Sequence, residues 1–259
     1  DPHYLPDGRI VFVSDRQTSA RGLQAITGIS TLPTLDEENR DPAYVLHTMD
    51  ANGTNIKQIS FAQSHEFNPT VLLNGKILFS RWERTGNRNT FSLYTINPDG
   101  TGFDVYYGAH SHTQPNTERA FVDAKEIQGG GVISTLTSYN RPRTLLPDPL
   151  DPNNPDANLD RNENHFNDGE MVIIDSENFV EIDQKRITST SPNNQGQRSA
   201  TNNEVPLDGN ISQVGRFYSP HPIWEEGGGN RVLVAWSVCK MTNSIDDRIV
   251  VERIGTILI

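Results

Sequence analysis

Apolar residues along this chain gather in short runs instead of recurring at helical spacing. Ile10-Val11-Phe12-Val13, Ile77-Leu78-Phe79, Met171-Val172-Ile173-Ile174 and Arg231-Val232-Leu233-Val234-Ala235-Trp236 are each flanked by Gly, Asn, Asp or Pro. Runs of this length, rich in β-branched and aromatic residues and closed by turn formers, predict buried strands. No segment predicts a helix.

The runs also repeat. Tyr4-Leu5-Pro6-Asp7-Gly8-Arg9-Ile10-Val11-Phe12-Val13-Ser14 returns as Val71-Leu72-Leu73-Asn74-Gly75-Lys76-Ile77-Leu78-Phe79-Ser80-Arg81, with Gly8 and Gly75 in register. A second motif, Tyr44-Val45-Leu46-His47-Thr48-Met49-Asp50-Ala51-Asn52-Gly53-Thr54, returns as Phe91-Ser92-Leu93-Tyr94-Thr95-Ile96-Asn97-Pro98-Asp99-Gly100-Thr101. The Asp-Gly and Asn-Gly pairs favour tight hairpins because both residues tolerate positive φ. One unit thus reads as strand, strand, hairpin, strand. Gly8 and Gly75 are 67 positions apart but Gly53 and Gly100 only 47, so the difference places an insertion in the first unit, near 17–41.

Gly131-Val132-Ile133-Ser134-Thr135-Leu136 with Met171-Val172-Ile173-Ile174-Asp175 predicts a third unit, split by a polar insertion near 141–170. Arg231–Ser237 opens a fourth, after a further insertion near 190–210. Four-stranded repeats of this length predict an all-β fold, a β-propeller of about four blades spanning 1–259 as one region. Four blades are few for closure. Together with the apolar end at Ile249 to Ile259 and a start directly before a strand, this reads as part of a larger propeller.

Residues 3–108, through PDGRIVFVSDR, YVLHTMDANGTNIKQIS, HEFNPTVLLNGKILFSRWE and LYTINPDGTG, resemble the TolB-like, WD40-like propeller repeats of secreted and periplasmic bacterial proteins. That resemblance implies a periplasmic or extracellular location and a role in protein binding. Ser80-Arg81-Trp82-Glu83 with Trp236-Ser237-Val238-Cys239 is also similar to propeller proteins related to the alpha subunit of hydrazine synthase. Those relatives often carry haem-attachment motifs. This chain has no Cys-x-x-Cys-His, so the resemblance implies haem only from residues outside it.

Composition narrows the function classes. Of 259 residues, 33 are acidic and 22 basic, for a formal charge of -11. Nucleic-acid binding draws on clustered Lys and Arg, and no basic stripe is present. No apolar run nears the roughly 20 residues of a membrane helix. A single cysteine, Cys239, excludes an internal disulfide and a cysteine-built zinc cluster, and in its apolar run it reads as a small buried hydrophobe.

Much of the negative charge lies in 148–170. Asp156, Asn158, Asp160, Asn162 and Asp168 place oxygen donors at mostly alternate positions, a pattern suited to calcium, which takes 6 to 8 oxygens. The helix-loop-helix pattern is broken, with Arg161 at its sixth position and Asn167 at its twelfth. A solvated turn-rich insertion is the plain alternative. His110 and His112 share a side of any strand they occupy, and with His65 they offer imidazoles to a transition metal, although structural hydrogen bonding is the reading taken for them.

Arg81, Trp82, Arg84 and Arg88 form a basic-aromatic group that either anchors a partner or stacks to hold a blade edge. Glu225 and Glu226 are adjacent, which suits a solvated turn better than paired catalytic carboxylates. No Ser-His-acid set, nucleophile elbow or phosphate loop stands out, so no residue is assigned to catalysis. The sequence therefore predicts a non-catalytic binding or scaffold module with a protein partner. The alternatives are the propeller part of a haem-dependent redox subunit and a structural component of an extracellular assembly.

Overall fold

The computed structural model describes residues 2–16, 35–38, 42–84, 90–110, 119–138, 169–207, 212, 214–227, 231–237 and 252–258. Among them every regular element is a strand, and no helix is long and apolar enough to cross a membrane. The strands form antiparallel meanders in chain order. The first comprises β1 (His3–Tyr4), β2 (Ile10–Ser14), β3 (Val45–Met49) and β4 (Lys57–Gln58). The second comprises β5 (His65–Val71), β6 (Ile77–Glu83), β7 (Thr90–Ile96) and β8 (Asp104–Tyr107).

The third contains β9 (Arg119–Glu126), β10 (Val132–Ser138), β11 (Glu170–Ile174) and β12 (Gln197–Ser199). The fourth contains β13 (Arg216–Ile223), β14 (Arg231–Ser237) and β15 (Glu252–Leu258). One parallel pair, Phe91 opposite Ala120, joins the second meander to the third, so those eight strands form a single hydrogen-bonded sheet. No closed barrel is formed among the described strands.

Apolar runs arise because the central sheets bury both faces, with successive side chains pointing to opposite sides. In β6, Ile77 and Phe79 join a cluster with Val11, Leu46 and Ile59 of the first meander. Between them, Leu78 joins Leu93, Phe121, Val132 and Val172 on the other side. In β10 and β11, Ile133, Met171 and Ile173 turn the opposite way, onto Phe217, Val232 and Val234 of the fourth meander. Each pair of successive meanders thus encloses its own apolar cluster.

The hairpins expected at the Asp-Gly and Asn-Gly pairs form, and they use positive φ at the glycine alone. In Leu5–Arg9, Asp50–Thr54, Leu72–Lys76 and Asn97–Thr101 the fourth residue's N–H donates to the first residue's carbonyl, at 2.8 to 2.9 Å. Only the glycine has positive φ, 85° at Gly8, 84° at Gly53, 82° at Gly75 and 92° at Gly100. These are three-residue loops ending in a left-handed glycine. The preceding Asp or Asn stays at negative φ because its carboxylate or amide oxygen accepts the N–H two residues on, at 2.9 to 3.0 Å in all four.

Within 190–210, Gln197–Ser199 form β12, paired with β11. His65 opens β5.

Candidate functional site

The first strands of three meanders share a distortion. β5, β9 and β13 each carry a bulge at a non-glycine residue with positive φ, Asn68 at 48°, Asp123 at 53° and Ser219 at 50°. Pro69, Ala124 and Pro220 follow. Proline is accommodated there because a bulge residue is left out of the hydrogen-bond ladder. The next residue in each copy is Thr70, Lys125 or His221. Aligning Leu5 and Gly8 with Leu72 and Gly75 places His3 at that position in the first meander.

These four equivalent residues share one cavity of about 260 Å³, whose walls also include Leu73, Glu126 and Trp224. Lys125 Nζ lies 3.1 Å from Asp123 Oδ1 and 3.3 Å from His3 Nε2. The ammonium is the donor, so His3 is neutral with its proton on Nδ1. Burial, then the neighbouring Lys125 cation, pushes His3 down from 6.5 to about 4 against the opposing pull of Asp123. Glu126 Oε2 accepts the Leu73 N–H at 2.6 Å, tying β9 to the turn after β5.

A second set lies in the seam between the first two meanders, and it contains most of the predicted basic-aromatic group. Arg81, Trp82 and Arg84 are half-buried and do not form an exposed anchor. Arg84 stacks on Trp82, its guanidinium 3.9 Å from the ring centroid, and pairs with Asp36 and, at 3.1 Å, Glu38. Its backbone N–H donates to Glu37. Arg81 lies over Tyr94 and Phe103 and donates to Ser64 at 3.1 Å, and Ser64 donates to Glu37 at 2.5 Å. Residues 35–38 of the first meander's insertion are therefore latched onto β6 of the second.

His65 belongs to this latch. Its Nδ1 accepts the Tyr44 N–H at 3.3 Å, so the ring proton sits on Nε2, 3.5 Å from Asp36 Oδ2. Beside it, Glu66 is fully buried; its Oε2 accepts from Leu46 N–H at 3.0 Å and from Ser60 Oγ, while Oε1 has no hydrogen-bond partner. Burial drives Glu66 up from 4.5 to about 7, with Ser60 and Arg81 pulling the other way.

A cleft of about 700 Å³ runs beside Asp175, Glu177, Asn178 and residues 193–198, and its lining carries no imidazole, thiol or lysine. Two of its polar groups are bonded to each other, Asn178 Nδ2 donating to Asp175 at 2.9 Å. Glu225 pairs with Arg231 and Glu226 is exposed, as expected of a turn.

Asp156, Asn158, Asp160, Asn162 and Asp168 lie outside the described residues, as do Arg88, His112 and Cys239. His110 is exposed, its backbone N–H donating to Glu181 at 2.8 Å. Among the described residues no group of three His, Cys, Asp or Glu side chains is close enough to hold a metal ion. The sequence reading missed His3, Thr70, Lys125 and His221 altogether. Their signal was the two-residue step before each, Asp-Pro, Asn-Pro, Asp-Ala and Ser-Pro in chain order.

No family model matches the chain, and no curated protein matches it, so the TolB-like resemblance of 3–108 has no counterpart there. Among solved structures the chain is similar to one described as Kuenenia stuttgartiensis hydrazine synthase. The TM-score is 0.53 at 17% identity, over 90% of this chain and 25% of that one. At that identity the likeness is one of fold, and this chain spans a quarter of the neighbour's length.

Proposed function

We propose that the four meanders are blades of a β-propeller, part of a larger ring, and that the chain is a periplasmic or extracellular binding and scaffold module. The observation that carries this is the convergence of His3, Thr70, Lys125 and His221, one from each meander, on a single cavity. Residues at equivalent places in successive repeats meet when the repeats turn about a common axis, as blades do. Apolar clusters between successive meanders support the same reading. Electron-microscopic class averages of the purified full-length protein test the fold, with a ring bearing a central opening expected and a compact body without one refuting it. Cell fractionation tests the location.

A redox role is the second reading, and the hydrazine synthase neighbour favours it. Haem would have to come from outside these residues. A Soret band in the full-length protein would establish that role over the binding one. For calcium, the donor types of Asp156 to Asp168 are the support, and chelation is expected to lower the melting temperature. An unchanged melt removes the site.

A further inference from the structure

We propose that Asn52, at the tip of the hairpin joining β3 to β4, is an acceptor for an N-linked saccharide. The proposal rests on the periplasmic or extracellular location put forward above, because the transfer takes place outside the cytoplasm.

Asn52-Gly53-Thr54 carries the acceptor pattern, an asparagine two residues before a threonine with no proline between them. The chain has one other, Asn210-Ile211-Ser212, and its Ser212 is only 2% exposed. Exposure separates the two. Residues 51–57 are exposed without interruption, so the tip of the hairpin offers an enzyme both the asparagine and the threonine. Asp50, two positions before Asn52, supplies the acid that many bacterial transferases select at that place.

The turn holds the amide in one orientation. Asn52 Oδ1 accepts the Thr54 N–H at 3.0 Å and the Thr54 hydroxyl at 2.7 Å. That engages the carbonyl end and leaves Nδ2 with no hydrogen bond among the described residues. Asp99 makes the same bonds at the equivalent place, accepting the Thr101 N–H at 2.9 Å and the Thr101 hydroxyl at 2.7 Å. The geometry is therefore the turn's own, and Asn52 adds a nitrogen where Asp99 has a second oxygen. Of the four equivalent turn residues, Asp7 and Asp99 have no amide and Asn74 is followed two residues on by Lys76. Asn52 alone joins the amide to the hydroxyl.

In the transfer, Nδ2 attacks the anomeric carbon of a polyprenyl-diphosphate-linked saccharide. The nitrogen–carbon bond forms as the carbon–oxygen bond to the diphosphate breaks. The electron pair leaves with the diphosphate, and the amide gives up one proton to a base of the transferase. Oδ1 is untouched, so both turn bonds survive in the product.

Peptide mapping of the protein from its native host tests this, with cell fractionation of the same culture. Trypsin cleaves after Arg40 and Lys57 and releases residues 41–57, on which electron-transfer fragmentation should place a saccharide at Asn52. Asn52→Asp should abolish the modification and leave the melting temperature of the unglycosylated protein unchanged, since Asp99 shows that a carboxylate keeps this turn. Thr54→Ser should remain modified and Thr54→Val should not. An exported protein whose 41–57 peptide is bare, or stays modified after Asn52→Asp or Thr54→Val, overturns the proposal and leaves the location standing. Retention of the protein in the cytoplasm overturns both.

Discussion

Glu66 gives the account a quantitative test. Its carboxyl is buried in the seam between the first two meanders, where Leu46 N–H and Ser60 serve Oε2 and nothing bonds Oε1. Burial is the largest influence on it and raises its pKa from 4.5 to about 7. The folded state therefore holds the proton more tightly than the unfolded chain does. No stability is lost while both states are protonated, below about pH 4.5. The loss grows as pH rises through 4.5 and is complete above about 7. At 1.36 kcal/mol per pH unit the gap corresponds to roughly 3 kcal/mol. For a chain of this size that is roughly 6–12 °C in melting temperature.

Glu66→Gln keeps an oxygen for Leu46 and Ser60 but cannot ionise. Urea unfolding of both proteins, followed by tryptophan fluorescence at pH 4.5 and pH 8, isolates the effect, because every other titration cancels in the difference. The variant should gain roughly 3 kcal/mol on the wild type between the two pH values. A difference that stays constant with pH would refute the reasoning, since it would mean that Arg81 holds the carboxylate ionised despite its burial.

Other consequences are open to measurement. His3 has the opposite sign: its folded pKa is depressed, so its contribution is present above 6.5 and lost as pH falls toward 4. A ring titration by NMR should give a midpoint near 4, and His3→Gln should flatten the acid limb of the stability curve. Gly53 and Gly100 share a turn geometry, but a Cβ at Gly53 meets open space, whereas one at Gly100 stands 2.7 Å from the Ile59 carbonyl oxygen. Gly53→Ala should cost about 1 kcal/mol in chemical denaturation, and Gly100→Ala a further 1–3 kcal/mol or so. Arg84→Met leaves Asp36, 1% exposed, without its guanidinium and should cost about 3 kcal/mol in the same assay. Arg84→Lys should recover little of it, because an ammonium cannot reproduce the planar fork that reaches both Asp36 and Glu38 while stacking on Trp82.

What could be read from the sequence was what is decided locally. Gly8, Gly53, Gly75 and Gly100 announce their turns because a left-handed residue there admits little else. The alternating runs of β6 and β7 announce strands buried on both faces. The first strands of the third and fourth meanders were hidden, because β9 reads RAFVDAKE and β13 reads RFYSPHPI. Their polar and proline residues sit at a bulge or line the cavity, where partners come from other meanders instead of from neighbours in sequence. Arg84 and Trp82 were visible as a pair, but their burial depends on Asp36, 48 positions earlier. The cavity-lining set is more dispersed still, since Thr70, Lys125 and His221 share only their position after a bulge and His3 only the aligned place in the first meander.

The central claim, that four meanders turn about one axis, is tested most directly by dipolar spectroscopy on spin labels placed in pairs at positions 3, 70, 125 and 221, in a Cys239→Ser background. Every pair should show strong short-range coupling, including 3 with 221, the most distant in sequence. Coupling confined to meanders adjacent in the chain, with spectra for 3 and 221 equal to the sum of the single labels, would contradict it.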